Sequence, residues 1–166
     1  MQIAGQIMPC LWFDNEAEEA AKFYVSIFKN SKIRHISRYG KAGQKIHRKK
    51  PGSVMVVEFE INGQIFTALN GGPNFEFSEA VSFQVPCENQ QDIDYFWIKL
   101  SAGGTQGPCG WLKDKYGLSW QVFPKVLRKM LMDSDADKSG RVTNAFMKMK
   151  KLDIAKLEQA YRGKAA

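Results

Sequence analysis

Pro9-Cys10-Leu11-Trp12-Phe13-Asp14 opens a run that decides the fold, because its plan returns later in the chain. It is followed by a helical pattern carrying Phe23-Tyr24, then by a hairpin ending Phe66-Thr67-Ala68-Leu69-Asn70. The second pass opens on Val81-Ser82-Phe83-Gln84-Val85, carries Phe96-Trp97 on a helix, and ends Trp120-Gln121-Val122-Phe123-Pro124. Each pass reads strand, helix, then three strands. The periodicity predicts an α+β chain built from paired βαβββ modules, at residues 1–73 and 74–124, with a C-terminal helical extension over 125–166.

Local chemistry supports the elements. In the first helix, Ala17, Ala20, Phe23 or Tyr24, Ile27 and Phe28 recur at helical spacing behind Asp14 or Asn15, either of which can cap it. Residues 3–13 and Ile33 to Tyr39 read as strands. Val54 to Ile61 is β-branched, and Asn62-Gly63 is the strongest hairpin signal, since a type I′ turn needs positive φ at both positions. The polar, basic stretch Gly40 to Gly52 reads as a long loop. In the second pass, Ile93, Phe96, Trp97 and Leu100 form one helix face, which Gly103-Gly104 ends. Trp111 to Tyr116 and Leu118 to Phe123 form the last hairpin. Pro124 is suited to begin a helix, and Val142, Ala145, Phe146, Met149 and Ile154, Leu157, Tyr161 predict two more. These helices are expected to cover a sheet edge or to build an interface.

Composition narrows the function. The 166 residues are 44% hydrophobic and 12% aromatic, enough for a real core. No apolar run reaches the ~18–20 residues that cross a bilayer, and the N-terminus lacks a signal-peptide pattern. A cytoplasmic protein with no membrane partner is expected, and the three scattered cysteines, Cys10, Cys87 and Cys109, suit that compartment. Cys10 and Cys87 fall at strand ends and read as core. The net charge of +7 is uneven: residues 29–50 hold nine Lys or Arg and no acid. Such a run can draw an anionic partner or nucleic acid by counterion release, but a solvated hairpin is the ordinary reading. Asp133-Ser134-Asp135-Ala136-Asp137 starts like a calcium loop, yet Lys138 stands where that loop needs Gly and Asn144 where it needs Glu.

With these residues in view, the chain resembles the vicinal oxygen chelate superfamily of glyoxalase I, extradiol dioxygenases and bleomycin-resistance proteins. More narrowly it resembles the PhnB-like group labelled 3-demethylubiquinone-9 3-methyltransferase. The matching stretches are Pro9 to Asp14, Phe66 to Pro73, Cys109 to Gln121, Ser139-Gly140-Arg141 and Met147 to Ile154. The resemblance covers nearly the whole chain. It implies a glyoxalase/bleomycin-resistance-like fold, a homodimer and a pocket for a small molecule.

Metal-dependent members of that superfamily place four ligands, His or Gln and Glu, on four strands. The resemblance carries those places onto Ile7, Thr67, Ala80 and Gln121. Two are hydrocarbon, one is a hydroxyl and one an amide, whereas a divalent ion needs three or four good donors. The only histidines, His35 and His47, lie elsewhere. No metal and no cofactor are therefore expected. Nor does Gly71-Gly72-Pro73 or Gly103-Gly104 sit between a strand and a helix, so no recognisable S-adenosylmethionine loop supports the methyltransferase label.

The pocket residues expected from strand aromatics and nearby polar groups are Trp12, Asn70, Cys109, Trp111, Trp120 and Gln121. The leading expectation is a metal-free small-molecule-binding protein. The alternatives are an enzyme acting on a small aromatic or quinone-like substrate, and a module that binds an anionic partner through residues 29–50.

Overall fold

The computed structural model describes residue 1 and residues 3–163. The chain divides into two compact units, Met1–Glu76 and Phe77–Ala166. Each unit holds one four-stranded sheet with the same strand order, so the plan repeated in sequence is repeated in space.

In the first unit the elements are β1 (Cys10–Phe13), α1 (Ala17–Ile27), β2 (Ser31–Arg38), a single turn α2 (Gln44–His47), β3 (Val54–Ile61) and β4 (Gln64–Asn70). The sheet order is β1-β4-β3-β2, with β1 parallel to β4 and the other pairs antiparallel. Asn62 and Gly63 turn the β3–β4 hairpin at φ 45° and 85°, as that dipeptide predicts. One sheet face is buried through Leu11, Phe13, Val57, Phe59, Phe66 and Ala68. It receives Ala17, Ala20, Ala21, Tyr24 and Ile27 of α1, with the Tyr24 and Phe59 rings stacked at 6.0 Å. Small alanines let the helix approach the sheet closely, and Tyr24 supplies the large apolar contact.

The second unit runs β5 (Ser82–Cys87), α3 (Gln90–Ser101), β6 (Thr105–Gln106), β7 (Trp111–Lys113) and β8 (Ser119–Pro124), in the order β5-β8-β7-β6. The side chain of Asn89 caps α3 by accepting from the Asp92 N–H. Ile93, Trp97 and Leu100 bury one helix face, and Val85, Cys87, Leu112, Trp120 and Val122 are the buried positions of the sheet.

Three helices complete this unit: α4 (Lys125–Leu131), α5 (Ala136–Phe146) and α6 (Ile154–Arg162). Asp135 and Asp153 cap α5 and α6 with their carboxylates. Asp135 thus acts at a helix start, with Asp137 in the first turn, rather than as a calcium ligand. Leu127, Met130, Val142, Leu152 and Leu157 form a core of their own. The segment between α5 and α6 is tied to the module by backbone. Cys109 and Gly110 N–H donate to Met149 and Lys150 C=O, each at 2.7 Å. The Gln90 amide grips the Leu152 C=O and the Ile154 N–H.

Some sequence expectations shift. The strand expected over residues 3–13 is confined to Cys10–Phe13. Neither Asp14 nor Asn15 caps α1: its N-cap is Glu16, with no side-chain cap bond of its own. Cys87 is core at 2% exposed, but Cys10 is exposed rather than buried. Cys10 lies on the sheet face that α1 does not cover, since Leu11 and Phe13 alternate with it. Among the described residues no helix is long and apolar enough to cross a membrane.

Candidate functional site

The sheet of the second unit has one face under α3 and one face free of it. Strand alternation and register put Thr105, Trp111, Lys113, Ser119, Gln121 and Ser82 on the latter. Lys113 is paired with Ser119 on one side and with Thr105 on the other. Against this face lies a cavity of about 420 Å³, walled by Glu79, Thr105, Gln106, Gly107, Pro108, Trp111, Leu112, Lys113 and Ser119. That volume is within the ~300–1,000 Å³ of small-ligand sites, and the wall combines apolar groups with a few polar ones.

Three side chains give the cavity its chemistry. Lys113 Nζ stands 2.7 Å from Glu79 Oε1 at the wall. The Lys113 hydrogen bond holds the Glu79 carboxyl below its usual range, with a smaller contribution from a backbone donor. Ser119 is fully buried, yet its Oγ has no hydrogen-bond partner. Buried hydroxyls nearly always find a partner, because an unmade hydrogen bond leaves their desolvation uncompensated.

The loop behind the cavity is held by close backbone approach. Gly107 N–H donates to the Trp111 C=O at 2.8 Å. A Cβ on Gly104 would lie 2.1 Å from the Lys113 carbonyl oxygen. Cys109 and Gly110 turn this loop with φ of 56° and 81°. Asp114, 2% exposed, closes the β7–β8 turn. Its Oδ1 accepts from the Tyr116 and Leu118 N–H, and its Oδ2 accepts from Trp120 Nε1 at 2.8 Å.

Of the six expected pocket residues, Trp111 alone lines this cavity. Gln121 is its cross-strand partner, half-buried, and its amide donates to Ser82 Oγ at 2.8 Å. Trp120 is 3% exposed on the opposite face, with its ring near Phe83. Cys109 anchors the loop through its backbone. Trp12 and Asn70 lie in the first unit. Trp12 Nε1 donates to the Gly72 C=O at 2.7 Å, and its ring meets Phe75 edge-on. Asn70 is 5% exposed; its Oδ1 accepts from the Ala17 N–H and its Nδ2 donates to the Val54 C=O. Sequence reasoning missed Ser119, Lys113 and Glu79. The signal for Ser119 was available, since a serine flanked by Leu118 and Trp120 is a polar group inside an apolar strand.

The strand registers bear on the metal question. Thr67 is the partner of Cys10 in the first sheet, and Gln121 that of Gln84 in the second. Ile7 is 82% exposed and precedes β1, and Ala80 precedes β5. Thr67 Oγ1 reaches only the Pro9 C=O, at 3.5 Å, and Gln121 directs an amide N–H at Ser82. Such a set does not fit a divalent ion. Among the described residues no group of three His, Cys, Asp or Glu is placed to hold one.

The chain also has relatives among known proteins. The family model described as 3-demethylubiquinone-9 3-methyltransferase matches residues 5–123. A PhnB protein from Bacillus cereus, titled with the same enzyme name, is 37% identical over 72% of this chain and 99% of its own, with a TM-score of 0.63. A Pseudomonas aeruginosa protein is 16% identical over 74% of this chain and 98% of its own, with a TM-score of 0.59. The fosfomycin resistance protein FosX of Listeria monocytogenes, solved with Mn(II) and sulfate, is 14% identical over 77% of this chain and 99% of its own, with a TM-score of 0.50. The last two are likenesses of fold. No curated protein matches the chain.

Proposed function

From a chain that belongs to the PhnB-like, 3-demethylubiquinone-9 3-methyltransferase family of the vicinal oxygen chelate superfamily, we propose a protein that binds a small organic molecule without a metal. The observation that carries this reading is the 420 Å³ cavity walled by Trp111, Pro108, Lys113 and Glu79. The metal-free part rests on Ile7, Thr67, Ala80 and Gln121, onto which the resemblance carries the ligand places and which lack the donors.

Native mass spectrometry of protein purified without added metal or chelator tests the reading, with a denatured run beside it. An organic adduct lost on denaturation supports it. A stoichiometric metal-sized adduct overturns the metal-free reading.

The family description favours a second reading, an enzyme on a small aromatic or quinone-like substrate. Turnover that falls in Trp111→Ala or Gln121→Ala would support it. The basic segment is the weaker support for an anionic partner. Lys32 and Arg34 are engaged by Glu58 and Glu60, Arg38 by the Gly52 C=O, and Lys49 by Asp14 and Asn15.

A further inference from the structure

We propose that the cavity of the second unit recognises a small aromatic carboxylate, and that Glu79 holds the recognition cation, Lys113, until such a ligand displaces it. The inference deepens the binding reading above and rests on it.

The geometry starts from the Lys113–Glu79 pair. Both residues belong to the cavity wall, and the ammonium already holds a carboxylate at 2.7 Å. The Glu79 side chain is 63% exposed and that of Lys113 is 36% exposed. An ion pair this open to water contributes little, so exchange of one carboxylate for another is cheap. Glu79 precedes β5, outside the strand ladder, so nothing in the sheet requires it to stay.

Glu79 satisfies the charge of Lys113 but brings no ring to the apolar wall. Ser119 is the cross-strand partner of Lys113 on the same sheet face, where paired Cβ atoms lie about 5 Å apart. Its hydroxyl is buried beneath that wall without a partner. That hydroxyl has no exposed surface, so a ligand carboxylate is held by Lys113 alone. Trp111, two residues before Lys113 on the same face, and Pro108 give the apolar wall for a flat ring.

The probe is sodium 2-naphthoate at pH 7, with neutral 2-naphthol as its uncharged counterpart, both titrated by calorimetry into the full chain. Naphthoate is expected to bind more tightly than naphthol. Lys113→Met should abolish that preference, since it removes the cation. Glu79→Gln should tighten naphthoate, by about threefold to tenfold, because the competing carboxylate is gone. Ser119→Ala should leave the naphthoate affinity unchanged, because its hydroxyl lies out of the ligand's reach.

Equal binding of naphthoate and naphthol, with no effect of Glu79→Gln, overturns the carboxylate inference and leaves a cavity for neutral aromatics. No binding of either probe, with no organic adduct in the native mass spectrum, overturns both this inference and the reading it rests on.

Discussion

Asn70 shows how much of this fold hangs on single buried polar groups. Its amide bridges the first N–H of α1 and the start of β3, two segments remote in sequence. Tyr39 Oη adds a bond to its main-chain oxygen at 2.6 Å. Asn70→Ala should cost about 2–3 kcal/mol in urea denaturation, because the Ala17 N–H and Val54 C=O would be buried without partners. Cys87 makes a second test. Burial, helped by the nearby Asp92 charge, pushes its thiol from an ordinary 9.0 up to about 12. The folded state keeps this proton when the unfolded state has lost it. Stability is therefore full below about pH 9 and falls as pH rises from there towards 12. Cys87→Ala should flatten that alkaline loss in pH-dependent denaturation curves. Iodoacetamide at pH 8 should label the exposed Cys10 before Cys87, as peptide mass mapping would show.

Among the elements, those whose signals are local were legible in the sequence. Asn62-Gly63 announces its hairpin and Asn89 caps α3, because the residues that decide each lie inside it. The start of α1 was not legible. Its cap bond comes from Asn70, 53 positions away, which no window of sequence contains. The two-residue β6 was required by the βαβββ plan but not located, since a strand that short shows no alternation. What fixes it there is Gly104 lying against the Lys113 carbonyl and the β6–β7 pairing. The candidate site divides in the same way. Trp111 was readable as a strand aromatic, but the Lys113–Glu79 pair joins residues on separate elements. The β7–β8 turn offers the sharpest test at this scale. Asp114→Ala removes the acceptor for two backbone N–H groups and the Trp120 indole, and should cost about 3 kcal/mol or more. Asp114→Asn keeps an oxygen for the backbone donors and should cost less. Thermal denaturation of both variants, with Trp fluorescence as the probe, would show that order.

For the molecule as a whole, the α4–α6 extension and the second module are held together by more than chain connectivity. Leu152 is fully buried within the helical core, while its carbonyl is held by Gln90 of α3. Leu152→Ala should cost about 2–5 kcal/mol. If helices and module melt as one, far-ultraviolet circular dichroism and Trp fluorescence should report a single shifted transition. The first unit poses a different problem. Its sheet has one face under α1, while Cys10, Trp12, Thr67 and Leu69 alternate onto the other. Ile3, Ile7 and Met8 add exposed apolar area before β1. Apolar area of this kind gains by leaving water, and a second copy of the chain presents the same surface by symmetry. We therefore expect a homodimer. Light scattering across micromolar concentrations should return twice the chain mass of 18.8 kDa. Ile7→Lys and Met8→Lys together should shift it towards one chain mass. A single chain mass for the unaltered protein at every concentration would overturn the homodimer.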